Sequence, residues 1–114
     1  MFSNLFGPSI PQINPVEVQS KLAQQPRTFL LDVRQPEEYQ AGHISGAKLI
    51  PLPELTQRLK ELPQDQEIIC VCQSGSRSQS ATRHLLSAGY TVINLNGGMD
   101  NWERSGLPVK KGSS

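Results

Sequence analysis

The sequence predicts a single α/β domain in which a mostly parallel sheet is covered by helices on both faces. Two observations predict it. The runs Thr28-Phe29-Leu30-Leu31-Asp32-Val33 and Glu67-Ile68-Ile69-Cys70-Val71-Cys72 are nearly continuous in apolar residues, as in strands buried on both faces. Short apolar runs alternate with segments of helical spacing, the pattern of strands joined by crossover helices. A length of 114 residues suits one core, and no internal repeat or linker divides it.

Each element has a local reason. Asn14-Pro15-Val16-Glu17 reads as a helix start: Asn14 is a good N-cap, Pro15 suits the first helical position, and Glu17 completes a capping box. This helix is expected to run to about Gln24, before Pro26. The strand over 28–33 follows, with Asp32 interrupting it near its end. Pro36 to Gln40 forms a short helix closed by Gly42, and Ala47 to Ile50 a short strand ending at Pro51. Leu55, Leu59 and Leu62 are spaced by four and three and predict one helical face over 53–62. After the strand over 67–72, Ser78 to Ala88 is helical, with Ala81, Leu85 and Ala88 inward and Gly89 as its C-cap. Thr91 to Leu95 is a strand. Gly97-Gly98 makes a tight turn, and Met99 to Ser105 is a last short helix before Gly106 and Pro108. Leu52, Leu55 and Leu59 read as core or a docking face. Residues 1–13 read as an extended N-terminal arm, 14–109 as the domain and 110–114 as a mobile tail.

Composition excludes several function classes. The net charge is +1, and the 11 Lys and Arg form no basic stripe interleaved with aromatics, so no nucleic-acid partner is expected. No apolar run approaches the roughly 20 residues that span a bilayer, so no membrane partner is expected either. Phe2, Leu5 and Phe6 lie among Pro8 and Pro11 with no Lys or Arg before Lys21, a poor match to a signal peptide. Cys70 and Cys72 are the only cysteines. Two apart on a strand, they share a face with parallel side chains and Cα atoms about 6.6 Å apart, which disfavours a disulfide. Two free thiols fit a reducing compartment, so the expected location is the cytoplasm. With only His43 and His84 as further soft ligands, no metal site is expected.

In parallel sheets, function collects at the C-terminal ends of strands. Two candidates fall there: Asp32-Val33-Arg34, and Cys72 with the loop Gln73-Ser74-Gly75-Ser76-Arg77-Ser78. The thiolate is the reactive form of cysteine. A helix starting near Arg77-Ser78 points its N-terminus back at Cys72, where unpaired N–H groups and the helix dipole favour negative charge. Gly75 lets the loop curl into an anion nest. Ser74, Ser76 and Ser78 offer hydroxyl donors, and Arg77 is the loop's only cation. The competing reading is a buried cysteine before an ordinary β–α turn. Cys70, flanked by Ile69 and Val71, reads as core, with a resolving role towards an oxidised Cys72 as the alternative. Asp32 and Arg34 either orient the loop or tie a strand end to its neighbour. Glu37, Glu38 and Arg34 are candidates for local ion pairs. His43 reads as structural, His84 as surface, and Trp102 as a core anchor that with Met99 can also rim a pocket.

Four anchors occur in order: Leu31-Asp32-Val33-Arg34; Glu38-Tyr39 with Gly42-His43-Ile44-Ser45-Gly46-Ala47; Cys72 to Ser78; and Gly97-Gly98 with Trp102. Together they resemble a single-domain rhodanese, a sulfurtransferase, from about Asn14 to Val109. The resemblance implies a rhodanese-like, five-stranded, mostly parallel sheet. It implies Cys72 as catalytic residue, with Gln73, Ser74, Gly75, Ser76, Arg77 and Ser78 binding substrate or persulfide and Asp32 and Arg34 supporting. It implies transfer of sulfane sulfur from thiosulfate or a persulfide donor to cyanide, a thiol or a protein acceptor through a Cys72 persulfide, with no metal or organic cofactor. Four residues separate Cys72 from Arg77. Phosphatases that share the fold have a longer loop, so a phosphatase or arsenate reductase is a lesser alternative, beside a non-catalytic binding or regulatory module. Many thiosulfate-using relatives carry a basic residue after the cysteine. Gln73 stands there in this chain, so a dianionic donor gains less.

Overall fold

A computed structural model describes residues 9–25 and 27–113. The chain order is β1 (Gln12–Ile13), α1 (Pro15–Gln24), β2 (Phe29–Asp32), α2 (Pro36–Ala41), β3 (Lys48–Leu49), two 3₁₀ segments (Leu52–Glu54 and Thr56–Glu61), β4 (Ile68–Val71), α3 (Ser76–Ser87), β5 (Val92–Leu95) and α4 (Gly98–Arg104). The five strands form one sheet in the order β1-β5-β4-β2-β3. Every pairing is parallel. β4 is the central strand, in register with β2 through Asp32↔Val71 and with β5 through Cys70↔Asn94.

Alternation along β4 divides the core into two layers. Ile68, Cys70 and Cys72 join Leu31, Val33 and Val92 under Ala81 and Leu85 of α3 and the leucines of the 3₁₀ region. Ile69 and Val71 join Leu30 and Leu95 under Val18 of α1, Tyr39 of α2, and Met99 and Trp102 of α4. The chain builds outward from β2 to β3, then returns across β2 to β4 and β5. The order therefore reverses between β2 and β4. The crevice beyond their C-terminal ends is the switch point where open α/β sheets bind ligands.

Several elements follow the local chemistry read from the sequence. Asn14 Oδ1 accepts from the Glu17 N–H at 2.9 Å and Glu17 Oε1 accepts from the Asn14 N–H at 3.1 Å, closing the capping box. α3 ends in a Schellman motif: the Gly89 N–H donates to the Leu86 carbonyl and the Tyr90 N–H to the Leu85 carbonyl, with Gly89 at φ +93°. Trp102 is buried and its indole N–H donates to the Pro108 carbonyl at 2.9 Å.

Two expectations are corrected, the helix over 53–62 and the inward Ala88. The helix over 53–62 is two 3₁₀ segments, Leu52–Glu54 and Thr56–Glu61, the second kinked at Arg58. Leu52/Leu55 and Leu59/Leu62 are each three apart, the repeat of a 3₁₀ turn, and all four face the core. Ala88 is exposed. The Schellman turn reverses the chain there and puts Tyr90 into the core in its place. The arm of residues 1–13 ends in the sheet: Gln12 and Ile13 pair with β5, and the Asn94 side chain donates to Gln12 Oε1 at 2.8 Å. The earlier part of the arm, 1–8, lies outside the described residues. The expected tail makes backbone hydrogen bonds through residue 112. Lys110 and His43 exchange two backbone hydrogen bonds, and the Gly112 N–H donates to the Gln40 carbonyl. Among the described residues, no helix is long and apolar enough to cross a membrane.

Candidate active site

Cys72 is the first residue past β4, at the switch-point crevice. The chain must turn there from an interior strand into α3. Gly75 makes that turn possible: it is the N-cap of α3 at φ +103°, a conformation that costs a side-chain-bearing residue energy. The turn brings the Gly75 N–H to 3.0 Å from Cys72 Sγ. Ser78 Oγ lies 3.2 Å from the same sulfur and 3.2 Å from the Gly75 carbonyl, so its one proton serves either acceptor. Ser76, Arg77 and Ser78 form the first turn of α3, where backbone N–H groups have no intrahelical acceptor. Ser74 and Ser76 do not reach the sulfur. Both are exposed, and their hydroxyls lie 3.5 Å from each other.

A second turn braces the first. The N–H groups of Met99 and Asp100, in the first turn of α4, donate to the carbonyls of Cys72 (2.8 Å) and Gln73 (2.9 Å). This approach leaves no room at Gly98. A Cβ on it would stand 2.3 Å from the Cys72 carbonyl oxygen and 2.7 Å from that of Gln73. Gly98 also has φ +58°. The glycine pair read as a turn that a side chain would obstruct is thus a contact between α4 and the cysteine loop.

The charged groups serve mainly as braces. Arg34 is buried, 2% exposed, and its Nη2 lies 2.8 Å from Asp32 Oδ2. It also donates to the Gly42 carbonyl at 2.9 Å and, through Nη1, to Gln73 Oε1 at 2.8 Å. Asp32 and Arg34 therefore do both things the sequence left open: they tie the end of β2 to the Gly42 turn and hold the cysteine loop. Gln73 Nε2 in turn donates to Asp100 Oδ1 at 2.7 Å. Arg77 faces Glu38, with both terminal nitrogens 2.7 Å from its carboxylate oxygens. Glu38 was expected to pair locally with Arg34; Asp32 takes that place instead. Arg77, with help from the Gln35 N–H, holds the Glu38 carboxyl down at about 2.

The remaining candidates fall elsewhere. Cys70 lies one pleat below Cys72 on the same face, fully buried. Burial pushes its thiol up to about 12, as suits core packing. Both cysteines are free thiols. His43 is buried against Tyr39, its ring stacked at 3.7 Å and its Nδ1 2.8 Å from the Tyr39 carbonyl. His84 is exposed and meets Thr56 at 3.4 Å. Sequence reasoning did not find Asp100 as a partner of the loop or Glu38 as a partner of Arg77. Their partners lie 27 and 39 residues away, beyond any local spacing signal.

Two predictions follow from this geometry. Gly98→Ala forces a left-handed alanine into two carbonyl oxygens and is expected to cost about 2–5 kcal/mol, measured by chemical denaturation. Glu38 has a depressed folded pKa, so its pairing stabilises fully above its ordinary value of 4.5 and is lost as the pH falls towards about 2. Denaturation at a series of pH values is expected to show wild type losing more stability across that window than Glu38→Gln.

A family model described as a rhodanese-like domain matches residues 14–105. A sulfurtransferase of Allochromatium vinosum is 35% identical over 101 residues, covering 88% of this chain and 94% of its own. The HTH-type transcriptional regulator Rv0324 of Mycobacterium tuberculosis is 45% identical over 86 residues, 74% of this chain and 38% of that protein. Among solved structures, a rhodanese-related protein from Thermoplasma volcanium aligns with a TM-score of 0.83 at 30% identity, over 88% of this chain and 97% of its own. With a rhodanese-like domain model matched over residues 14–105 and a sulfurtransferase 35% identical over nearly its whole length, the chain belongs to the rhodanese-like family, whose members include named sulfurtransferases.

Proposed function

We propose that this protein is a sulfurtransferase that carries sulfane sulfur as a persulfide on Cys72. The observation that carries the proposal is the pair of donors on Cys72 Sγ, the Gly75 N–H at 3.0 Å and the Ser78 hydroxyl at 3.2 Å, at the N-terminus of α3. Donors already aimed at a sulfur suit an anion on that sulfur and need no rearrangement when it forms.

The reaction runs in two displacements. The Cys72 thiolate attacks the outer sulfur of thiosulfate or of a persulfide. A sulfur–sulfur bond forms to Cys72, the donor's own sulfur–sulfur bond breaks, and its electron pair leaves with sulfite or with a thiolate. The transferred sulfur carries the negative charge when the donor is thiosulfate. It lies within the loop from Gln73 to Ser78, where Gly75 and Ser78 serve as donors and Ser74, Ser76 and Arg77 form the wall. In the second displacement cyanide, a small thiol or a protein cysteine attacks that outer sulfur, and Cys72 leaves as thiolate. Asp32 and Arg34 act as positioning residues through Gln73. No step calls for a base beyond the ionised Cys72, or for a metal or organic cofactor. Two free thiols suit a reducing compartment, and we assign the protein to the cytoplasm.

A regulatory reading is favoured by one finding, the similar segment within a transcriptional regulator. Sulfur loading separates the two readings for this chain. Phosphate-ester hydrolysis is disfavoured because the terminal nitrogens of Arg77 are engaged by Glu38. Intact-mass measurement after incubation with thiosulfate or an alkyl persulfide is the test. One added sulfur, removed by a thiol reductant, is expected for wild type and Cys70→Ser and none for Cys72→Ser. Failure of every donor to load wild type overturns the enzyme reading.

A further inference from the structure

The charges around the cysteine loop do not balance. Arg34 is matched by Asp32 and Arg77 by Glu38, each within 2.8 Å. A third carboxylate, Asp100, stands at the same loop, and among the described residues it has no cationic partner. It is exposed. It is also fixed twice to Gln73, the residue next to Cys72: its backbone N–H donates to the Gln73 carbonyl at 2.9 Å, and its Oδ1 accepts from Gln73 Nε2 at 2.7 Å. The opposite end of the Gln73 amide accepts from Arg34 at 2.8 Å. The amide is thus held head to tail between a cation and an anion, which fixes its orientation. The loop side chain that meets Asp100 is a neutral amide, which leaves the carboxylate's charge uncompensated.

We propose that Asp100 sets the charge preference of the Cys72 site, disfavouring dianionic sulfur donors such as thiosulfate relative to persulfides of low charge. This rests on the sulfurtransferase reading and names the donor class that reading leaves open. The physical basis is the product of charges: a dianion is repelled by a fixed carboxylate twice as strongly as a monoanion and a neutral donor not at all. The repulsion acts from outside the loop and is screened by salt, with a Debye length of about 8 Å at physiological ionic strength. Asp100 touches neither the sulfur nor the loop's inner donors in this geometry. Its effect therefore falls on donor binding and encounter, and the displacement itself stays with Cys72.

The test compares Cys72 loading rates from thiosulfate and from 2-hydroxyethyl persulfide, which carries at most one negative charge. Asp100→Asn keeps an oxygen for Gln73 Nε2 and removes the charge. It is expected to raise the thiosulfate-to-persulfide ratio of kcat/KM on the order of fivefold at low salt, chiefly through KM, with the gain shrinking at high salt. Asp100→Glu, which keeps the charge, is expected to stay near the wild-type ratio. An unchanged ratio in Asp100→Asn, or a gain that salt does not diminish, overturns the proposal while leaving the sulfurtransferase reading in place. Loading of wild type by neither donor overturns both.

Discussion

The constraint on which the rest of the site depends is the contact between the first turn of α4 and the loop after Cys72. Two backbone N–H groups, of Met99 and Asp100, hold the carbonyls of Cys72 and Gln73. In a trans peptide the N–H points opposite to the C=O. Fixing those two carbonyls on α4 therefore turns the N–H groups of Gln73 and Ser74 to the opposite side. The loop then reaches α3 with the Gly75 N–H on the sulfur. Gly98 is the residue that lets the two backbones come so close, since any side chain there meets the loop carbonyls. A buried strand end, a glycine N-cap and a glycine contact thus cooperate to leave one sulfur facing donors.

The arginines illustrate how charge is spent on shape. Arg34 is almost wholly buried and uses its guanidinium on Asp32, Gly42 and Gln73. A buried charge of this kind is tolerable only because it is fully paired. Its removal would loosen β2, the Gly42 turn and the cysteine loop together. Arg77 does the same between α3 and α2 through Glu38. In the proposed sulfurtransferase, an anion in the loop would therefore meet backbone N–H groups and the Ser78 hydroxyl more than free cations.

Much of this architecture was legible because it is encoded locally. The apolar runs of β2 and β4, the capping box at Asn14 and the glycine closing α3 each carry their own short-range signature. So did the position of Cys72 between a buried strand and a helix start. What escaped depends on distant partners. β1 is two residues between prolines, too short to show alternation, and exists because β5 offers an open edge. The leucines at 52–62 fit a 3₁₀ repeat as well as an α-helical face, and the core decided between them. Glu38 and Asp100 are ordinary helix-start acids by sequence. Only the packing of α2 and α4 beside the loop gives them Arg77 and Gln73 as partners.

The most direct measurement is a crystal structure of the protein after loading with sulfane sulfur. The expected result is one additional sulfur bonded to Cys72 Sγ and turned into the loop, facing the N–H groups of Gly75 and the first turn of α3, with the Cys72 and Gln73 carbonyls still held by α4. An added sulfur on Cys70, one turned out to solvent, or a loop whose carbonyls have left α4 would contradict the account.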